Sequence, residues 1–527
     1  MKKAAGFSVL FFLSFLSFAQ RPATFNIKTY GAKGDGKAID SKAINAAISA
    51  AAKAGGGTVY FPAGTYLSYS IRLKNNIALY LDQGCVLLAA DTAAGGRYDD
   101  PEPNEWGDKF HYQDFGHSHW HNSLIWGENL QNISITGPGV IDGLGLSRGF
   151  YRNEGWEGRG IPAGPYMQQG GGNKAIALKL CRNVILKDFT ILRGGHFGLL
   201  ATGVDNLTID NVKMDTNRDG MDIDCCQNVR ISNCTVNSPN DDAICLKSSF
   251  ALGFARSTQN VTITNCQVSG YDLGTLYNGT YQRNNFRQVP DQEGPTGRIK
   301  FGTESNGGFK NITISNCVFE YCRGLALETV DGALLEDVTI SNLTMRDIVN
   351  SPIFLRLGGR MRGPSNAAIG ALRRVLINNV TVYNADSHFA TLISGLPGHA
   401  IEDVKLTNLL IYYRPIDSPA AKIQTVVPEY EKTYPEPQKF GVLPAYGFFI
   451  RHAQGLLLNN IELKLMGSET RPAVILDDVR GVTLRNVNAA KGSSTAQVVL
   501  KQVENVSVKD SHLMADTLVL RTPHQEF

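Results

Sequence analysis

The chain has 527 residues, of which 43% are hydrophobic and 19% are charged, and its formal net charge is +3. This composition is that of a soluble globular protein long enough to bury a large core. So small a net charge is compatible with an acidic polymer as a partner but gives no support for nucleic acid, and we predict no nucleic-acid partner.

The first twenty residues have the organisation of a signal peptide. Lys2 and Lys3 precede an apolar run from Phe7 to Phe18, and the small residue Ala19 follows. The run is too short to span a membrane, and no later segment is long enough. We therefore predict a periplasmic or secreted protein that is cleaved after Ala19 and is not inserted in a membrane.

The segment "DSKAINAAISAAAKAGGGTVYF" predicts a helix followed by a strand. Asp40 or Ser41 can cap the start of the helix, and the glycines at 55–57 end it. We expect this helix to cover the open end of whatever sheet follows. One face of the predicted helix is apolar and carries Ala43, Ile44, Ala47, Ile48 and Ala51.

A six-residue phrase recurs in the rest of the chain: a polar anchor or glycine, then alternating apolar residues, then a closing Asn or Asp. The period-two alternation predicts short strands with one buried face, and Asn tolerates a left-handed turn. Stacked turns bury such faces, so we predict a parallel β-helix; leucine-rich and helical repeats do not fit the pattern. The phrases begin at Asn183, Asn206, Asn228, Asn260, Asn311, Asp337, Arg374, Asp403, Gly455, Gly481 and Asn505.

Nine cysteines would be unusual for a disulfide framework, because the number is odd. Three of them, Cys234, Cys266 and Cys317, occur in the repeated dipeptide Asn-Cys. This regularity favours small, buried side chains stacked in a repeat, and we predict free thiols.

Long insertions interrupt the repeat. They are expected at Tyr98–Gly172, Tyr271–Gly297, Arg356–Gly370 and Tyr412–Tyr446. Clustering of all the tryptophans in the first insertion favours a wall on which sugar rings stack. These tryptophans are Trp106, Trp120, Trp126 and Trp156.

The predicted domain organisation follows from these features. Residues 1–19 are the signal peptide, 20–95 the cap and first coils, 96–512 the β-helix with its insertions, and 513–527 a C-terminal tail.

Two adjacent acids, Asp241 and Asp242, interrupt the repeat. Asp241 follows its anchor Asn228 by 13 residues, and Asp219 follows Asn206 by the same number. Coils of equal length would place Asp219 and Asp241 one above the other, about 4.8 Å apart. Clustered carboxylates repel one another, which favours a functional site for acid–base catalysis or a hard metal ion. His196 has the same spacing and is expected on the neighbouring rung.

Three blocks around these acids resemble glycoside hydrolase family 28, the polygalacturonases. They are "NRDGMD" from Asn217, "NDDAICLKS" from Asn240 and "GRIKFGTESNGG" from Gly297. The N-terminal "YGAKGDGKAIDSKAINAAI" and "GGGTVYFPAGTY" resemble bacterial members and the wider pectin-lyase-like superfamily. The resemblance implies an all-β, right-handed parallel β-helix, a pectic polysaccharide or oligosaccharide substrate, cleavage at α-linked galacturonate, and no cofactor.

The same resemblance implies roles for individual residues. Asp241 would protonate the leaving oxygen, while Asp219 and Asp242 would hold and activate the attacking water. Arg298 and Lys300 would bind a substrate carboxylate next to the scissile bond, which suits a planar fork and a point charge.

Other residues are predicted to support binding. Asn217 would orient the site through hydrogen bonds. The Gly-His-Gly block of the family is absent near residues 268–281, so His196 is a candidate to supply an imidazole, and Arg218 stands where Thr is usual. The alternating histidines His117, His119 and His121 have a spacing that zinc ligands sometimes have, but we predict sugar contacts and no metal.

Three alternatives share these features. A rhamnogalacturonan-cleaving hydrolase of the same family could vary at the missing block. A calcium-dependent polysaccharide lyase could use the acids as metal ligands on the same fold, and a non-catalytic carbohydrate-binding β-helix is the third. We predict an exo-acting hydrolase that inverts anomeric configuration.

Overall fold

Short strands stack turn upon turn along the described part of the chain. In this computed structural model that part comprises residues 23–108, 117–147, 170–284, 295–416, 422–493 and 496–527. The predicted signal peptide and Trp156 lie outside the described residues.

The strands are numbered β1 to β34 in chain order. The first twenty-two are Thr24–Asn26, Asp35–Ile39, Gly57–Phe61, Gly64–Ser68, Ile71–Arg72, Ile77–Leu81, Cys85–Ala89, Ile125–Glu128, Gln131–Thr136, Val140–Asp142, Lys174–Lys179, Arg182–Lys187, Thr190–Leu192, Phe197–Thr202, Asp205–Asp210, Lys213–Asp215, Asp219–Asp224, Gln227–Ser232, Thr235–Asn237, Ile244–Ser248, Thr258–Thr264 and Gln267–Ser269. The others are Ile299–Ser305, Phe309–Glu320, Leu325–Thr329, Leu334–Arg346, Ile353–Leu357, Ala371–Asp386, Thr391–Ser394, Ile401–Arg414, Phe448–Leu465, Val474–Ala489, Val498–Lys509 and Thr517–Glu526. The α-helices are α1 (Ser41–Lys53) and α2 (Glu105–Asp108), and 3₁₀ turns span Ile27–Tyr30, Thr92–Ala94 and Pro437–Phe440.

Each strand from β1 to β32 pairs in parallel with its counterpart one turn later. Val184 of β12 pairs with Leu207 of β15, which pairs with Val229 of β18. These side chains are buried and stack into a core that continues from Ile27 to Val519. The predicted fold, a right-handed parallel β-helix, is confirmed.

Asparagine ladders run along the turns of the coil. Asn183 and Asn206 adopt φ of 56° and 52°, and Asn206 Nδ2 donates to Asn183 Oδ1 at 3.0 Å. The left-handed conformation expected of Asn is thus confirmed, and stacked side-chain hydrogen bonds accompany it. A second ladder of closing residues includes Asn316, Asn342, Asn379, Asn408, Asn460 and Asn486.

The two ends of the coil are covered differently. Helix α1 buries the predicted apolar face on the first strands. Asp40 is the N-cap residue, as predicted, but its side chain makes no capping hydrogen bond: it accepts from Lys33 N and Gly34 N, while Ser41 Oγ accepts from Tyr69 N. At the other end, strand β34 of the predicted tail pairs antiparallel with β33.

All nine cysteines are free and buried, as predicted. Within the described ranges, none of the helices has the length and apolarity needed to cross a membrane.

The stacking wall predicted from the tryptophans is wrong for Trp120. Its ring is fully buried and its Nε1 donates to Thr202 Oγ1 at 3.1 Å, so it is a core residue. Trp106 packs edge-on against Phe250 with ring centroids 5.1 Å apart. Trp126 is half-buried. The expectation of a single insertion over 98–172 is corrected, because strands β8 to β10 lie within that range and pair in parallel with β11 to β13 as a turn of the coil.

Candidate active site

The three predicted acids come together, with one correction to their register. Met221 of β17 pairs with Ile244 of β20, which aligns Asp219 with Asp242. The equal spacing predicted that Asp219 aligns with Asp241, and this prediction was wrong by one residue.

Turn length explains the shift. Asp215 and Asn237 lie in register at the ends of β16 and β19. Three residues, 216–218, lead from the first of these strands to Asp219, whereas the next turn uses four, 238–241, to reach the aligned position. The extra residue displaces Asp241 from the row.

The carboxylates of Asp219, Asp241 and Asp242 form a compact triad. Their nearest oxygens all lie within 4.8 Å of one another. Asp242 N donates to Asp219 Oδ1 at 3.2 Å and to Asp241 Oδ1 at 3.0 Å, so one backbone amide orients both neighbours. Asp219 and Asp242 are 3% and 2% exposed, and Asp241 is 9% exposed.

Asp219 lies in a strongly desolvated position. Burial raises its pKa well above the usual range, and the neighbouring carboxylates of Asp222 and Asp241 raise it further. Lys247 Nζ lies 3.9 Å from Asp219 Oδ2 and only partly offsets these effects. The triad of the free protein therefore retains a proton above the pH at which ordinary aspartates lose theirs.

Asp242 has the opposite electrostatic environment. Arg298 Nε lies 2.8 Å from Asp242 Oδ1, and Lys300 Nζ lies 3.2 Å from Asp242 Oδ2. Burial alone would raise the pKa of Asp242, but Lys300 and Arg298 outweigh it and lower the pKa to about 2. Asp242 is thus a fixed anion at neutral pH.

Arg298 and Lys300 are themselves enclosed. They are 1% and 2% exposed, and Glu436 lies 2.6 Å from Arg298 Nη2. Lys300 Nζ donates to Tyr434 Oη at 2.9 Å. Glu328 lies 3.7 Å from Lys300 Nζ, and burial raises its pKa to about 8 against the effect of both cations. In the free protein the basic pair thus contacts Asp242, Glu436 and Tyr434, and its contact with a substrate carboxylate stays a prediction.

Arg218 bridges the triad to His196. Phe197 of β14 pairs with Asp219, which places His196 beside Arg218 rather than beside the acid, so the equal-offset prediction is corrected here as well. Arg218 Nη2 donates to Asp241 Oδ2 at 2.6 Å, and its Nη1 lies 3.2 Å from His196 Nδ1. His196 is fully buried and contacts the triad through this arginine.

A second buried cluster adjoins the triad. The sequence analysis singled out none of its members except His117, which was predicted to contact sugar but is fully buried. Lys247 Nζ lies 3.0 Å from Asp222 Oδ2 and 3.5 Å from Glu304 Oε2. His117 Nε2 lies 3.0 Å from Asp222 Oδ2. The three motif blocks contain Asp222, Lys247 and Glu304, so these blocks were the sequence signal from which the cluster could have been predicted. His117 comes from a distant part of the chain.

The remaining predicted binding residues lie around this centre. Asn217 is 6% exposed in the turn before the triad. His119 Nδ1 lies 2.7 Å from the carbonyl oxygen of Glu102, and His121 Nε2 lies 2.9 Å from Glu128 Oε2. The alternating histidines thus have separate partners. Among the described residues, the one group close enough to hold a metal ion is the aspartate triad.

These groups define the class of protein chemically. A protonated carboxyl, a fixed carboxylate and a third acid within one cluster are the elements of acid–base hydrolysis. The triad lies on adjacent rungs of a β-helix: Asp219 begins β17, and Asp241 and Asp242 lie in the turn just before β20. On a parallel β-helix, these groups are a set that a hydrolytic enzyme could use.

Comparison with known proteins makes the class specific. Residues 109–275 match the family model described as "Glycosyl hydrolases family 28", and residues 24–135 match "Rhamnogalacturonase A/epimerase, pectate lyase-like". The chain is 25% identical over 413 residues to a probable polygalacturonase of Vitis vinifera, covering 71% of this chain and 77% of that protein.

Two further relatives cover different shares of the chain. An exo-poly-alpha-D-galacturonosidase of Dickeya chrysanthemi is 35% identical over 130 residues, which are 24% of this chain and 20% of that protein. The crystal structure of an exopolygalacturonase from Thermotoga maritima superposes with a TM-score of 0.61 at 18% identity, covering 84% of this chain and 92% of that chain. At that identity the superposition supports the fold. The chain is a glycoside hydrolase, and its resemblance to family 28 is confirmed.

Proposed function

We propose that this glycoside hydrolase cleaves α-linked galacturonate in pectic polysaccharide or its oligosaccharides. The observation that carries the proposal is the buried triad, whose three carboxylates lie within 4.8 Å of one another on adjacent rungs. The names of the relatives from Vitis vinifera and Dickeya chrysanthemi, both acting on polygalacturonate, support the substrate class.

Asp241 is the proposed general acid. It is the most exposed of the three acids, which favours contact with the glycosidic oxygen of a bound chain. Its proton passes to that oxygen as the bond to the anomeric carbon breaks, and the released sugar leaves as an alcohol.

Asp219 and Asp242 are proposed to bind and activate the attacking water. Asp242 is held as an anion by Arg298 and Lys300 and accepts a hydrogen bond from the water. Asp219 accepts the proton that the water loses as its oxygen attacks the anomeric carbon. This step needs Asp219 to be ionised, so the proton retained by the free triad must leave it before water attacks.

Inversion is the proposed stereochemical outcome. Separations below 5 Å in the free protein are nearer those of retaining pairs than the roughly 6.5–9.5 Å of inverting ones. That rule concerns carboxyl groups on either side of a scissile bond, whereas these three share one face of the coil. Two acids that bind one water, with a third as proton donor, favour direct displacement by that water.

The proposed location and mode of attack follow from the sequence. The charged, apolar and small-residue succession at the N-terminus supports export to the periplasm or beyond. The long insertions around the triad support attack at chain ends, because they would close a groove that internal cleavage leaves open.

A substrate screen tests the proposed function. Purified protein is incubated with polygalacturonate, rhamnogalacturonan and their oligosaccharides, with and without a chelator. We expect reducing sugar that survives chelation and products without the ultraviolet absorbance of a new double bond. Unsaturated products, or activity that needs added calcium, would instead identify a lyase with the triad as its metal site.

A further inference from the structure

The segment between β30 and β31 returns to the active site from far along the sequence. Its residue Glu436 is 4% exposed, with Oε1 2.6 Å from Arg298 Nη2 and Oε2 2.9 Å from Arg323 Nη1. Tyr434 accepts a hydrogen bond from Lys300 Nζ. One carboxylate and one hydroxyl of this segment thus cover both members of the basic pair.

Glu436 binds the guanidinium as a substrate carboxylate would. The nitrogens of Arg298 point in two directions: Nε contacts Asp242 and the terminal nitrogens contact Glu436. Planar carboxylates pair with such a fork at high affinity when both are withdrawn from water. A carboxylate of the chain itself therefore occupies the position of an anionic ligand.

The segment is fixed in place by contacts on both sides of Glu436. Asn350 Nδ2 donates to Gln438 Oε1 at 2.7 Å, and Arg356 Nη2 donates to the carbonyl oxygen of Glu429 at 2.7 Å. Phe440 is buried in an apolar cluster with Phe354 and its neighbours. Displacing Glu436 would require breaking two buried ion pairs and disturbing this packing.

We infer that Glu436 determines specificity: it fills the carboxylate position beside Arg298, so the sugar bound next to Asp242 is neutral. This inference rests on the proposed function and narrows it to a galacturonosyl linkage whose partner sugar lacks a free carboxylate. A second carboxylate placed there would meet Glu436 and Asp242 at close range, and like charges in a poorly hydrated site repel strongly.

The decisive comparison uses two substrates that differ in one charge. They are α-galacturonosyl-galacturonate and the same disaccharide methyl-esterified on the reducing-side carboxyl. We expect kcat/KM of the wild-type protein to be about tenfold or more higher for the ester, because a buried like-charge contact is avoided. Equal values, or a preference for the free acid, would overturn the inference.

A variant tests whether Glu436 is the cause. Glu436→Gln keeps the size of the side chain and removes its charge. The ratio of kcat/KM for the ester to kcat/KM for the free acid should fall at least about fivefold, mainly because KM for the free acid decreases. The matched control is Glu429→Gln in the same segment, which is 40% exposed and pairs with Arg451. An unchanged preference in folded Glu436→Gln would contradict the assignment; if that variant does not fold, the wild-type comparison decides alone.

Binding separates this inference from the proposed function. Calorimetry with Asp241→Asn protein measures the affinity for the same two disaccharides without turnover. Tighter binding of the ester supports a neutral sugar subsite even if no substrate is hydrolysed, in which case the proposed function alone fails. Tighter binding of the free-acid disaccharide refutes the inference even if hydrolysis is observed.

Discussion

Arg298 Nε donates a 2.8 Å hydrogen bond to Asp242 Oδ1, across one rung of the coil. Asp219 occupies the aligned position on the preceding rung, where Lys247 Nζ lies 3.9 Å from Asp219 Oδ2. Two aspartates in neighbouring positions thus have pKa values shifted in opposite directions: Asp219 upward, chiefly by burial, and Asp242 downward by its two cations.

This contrast predicts opposite effects of Asp219→Asn and Asp242→Asn on stability. At pH 7, Asp219→Asn should raise Tm, because it removes a buried carboxyl that is repelled by Asp222 and Asp241. Asp242→Asn should lower stability, though by less than the roughly 3–5 kcal/mol of a buried charge left wholly unpaired, because it removes the anion that Arg298 and Lys300 share while Glu436 and Glu328 remain. Calorimetry at one scan rate measures both, with exposed Asp510→Asn as the control. Shifts of the same sign would contradict the electrostatic account.

The proton-donor role predicts that Asp241→Asn lowers kcat by roughly 10²–10⁴-fold while the fold is kept. The amide is nearly isosteric with the acid but cannot donate a catalytic proton. Steady-state kinetics, together with circular dichroism and binding of an oligosaccharide product, would check this. Near-normal turnover of folded Asp241→Asn protein would remove Asp241 from the mechanism.

The raised pKa of Asp219 predicts where activity is lost in acid. Asp219 must be ionised to accept a proton from water, so kcat/KM should fall on the acid side at a pH above the range of an ordinary aspartate. Lys247 lowers this pKa. Lys247→Met should therefore move the acid limb of the profile, the fall of kcat/KM at low pH, to higher pH.

The pH profile of kcat/KM has a matched control variant, and the same pKa shift also predicts how stability changes with pH. Exposed Lys405→Met should leave the acid limb in place. Because folding raises the pKa of Asp219, its contribution to stability is present below the unfolded pKa and is lost as the pH rises through the folded pKa. An acid limb that does not move in Lys247→Met would mean that another group controls it.

Inversion predicts the anomer that forms first. An α-linked galacturonoside should release the β-anomer before mutarotation, because water attacks the face opposite the leaving group. Proton NMR of the earliest product measures this directly. Initial release of the α-anomer would indicate a covalent intermediate and would reassign one of the water-binding acids as the nucleophile.

Attack at chain ends predicts slow loss of polymer viscosity. Each cleavage should release a short product, so reducing sugar should accumulate while the viscosity of polygalacturonate falls little. Viscometry and a reducing-sugar assay on the same sample test this. A rapid viscosity drop with little reducing sugar would establish internal cleavage.

Sequence alone predicted the parts of this protein that depend on local pattern. The alternating strands, the left-handed asparagines and the apolar face of α1 each follow from the periodicity of a short segment. The clustering of the triad acids was predicted from the spacing of the same repeat, although Asp219 aligns with Asp242 and not, as the spacing indicated, with Asp241. Their resemblance to known blocks added the roles that spacing could not supply.

Tertiary structure decided the register and the enclosure of the site. A single additional turn residue before Asp242 moved Asp241 out of the row, a difference that counting from the anchors could not detect. Glu436 lies 138 residues beyond Arg298 in the chain, and no local pattern links them. Insertions of this kind pack according to the shape and charge of the surface that they meet, which exists only after the coil has formed. The repeat therefore determined which part of the coil carries the acids. Long-range packing determined which groups Arg298 and Lys300 contact.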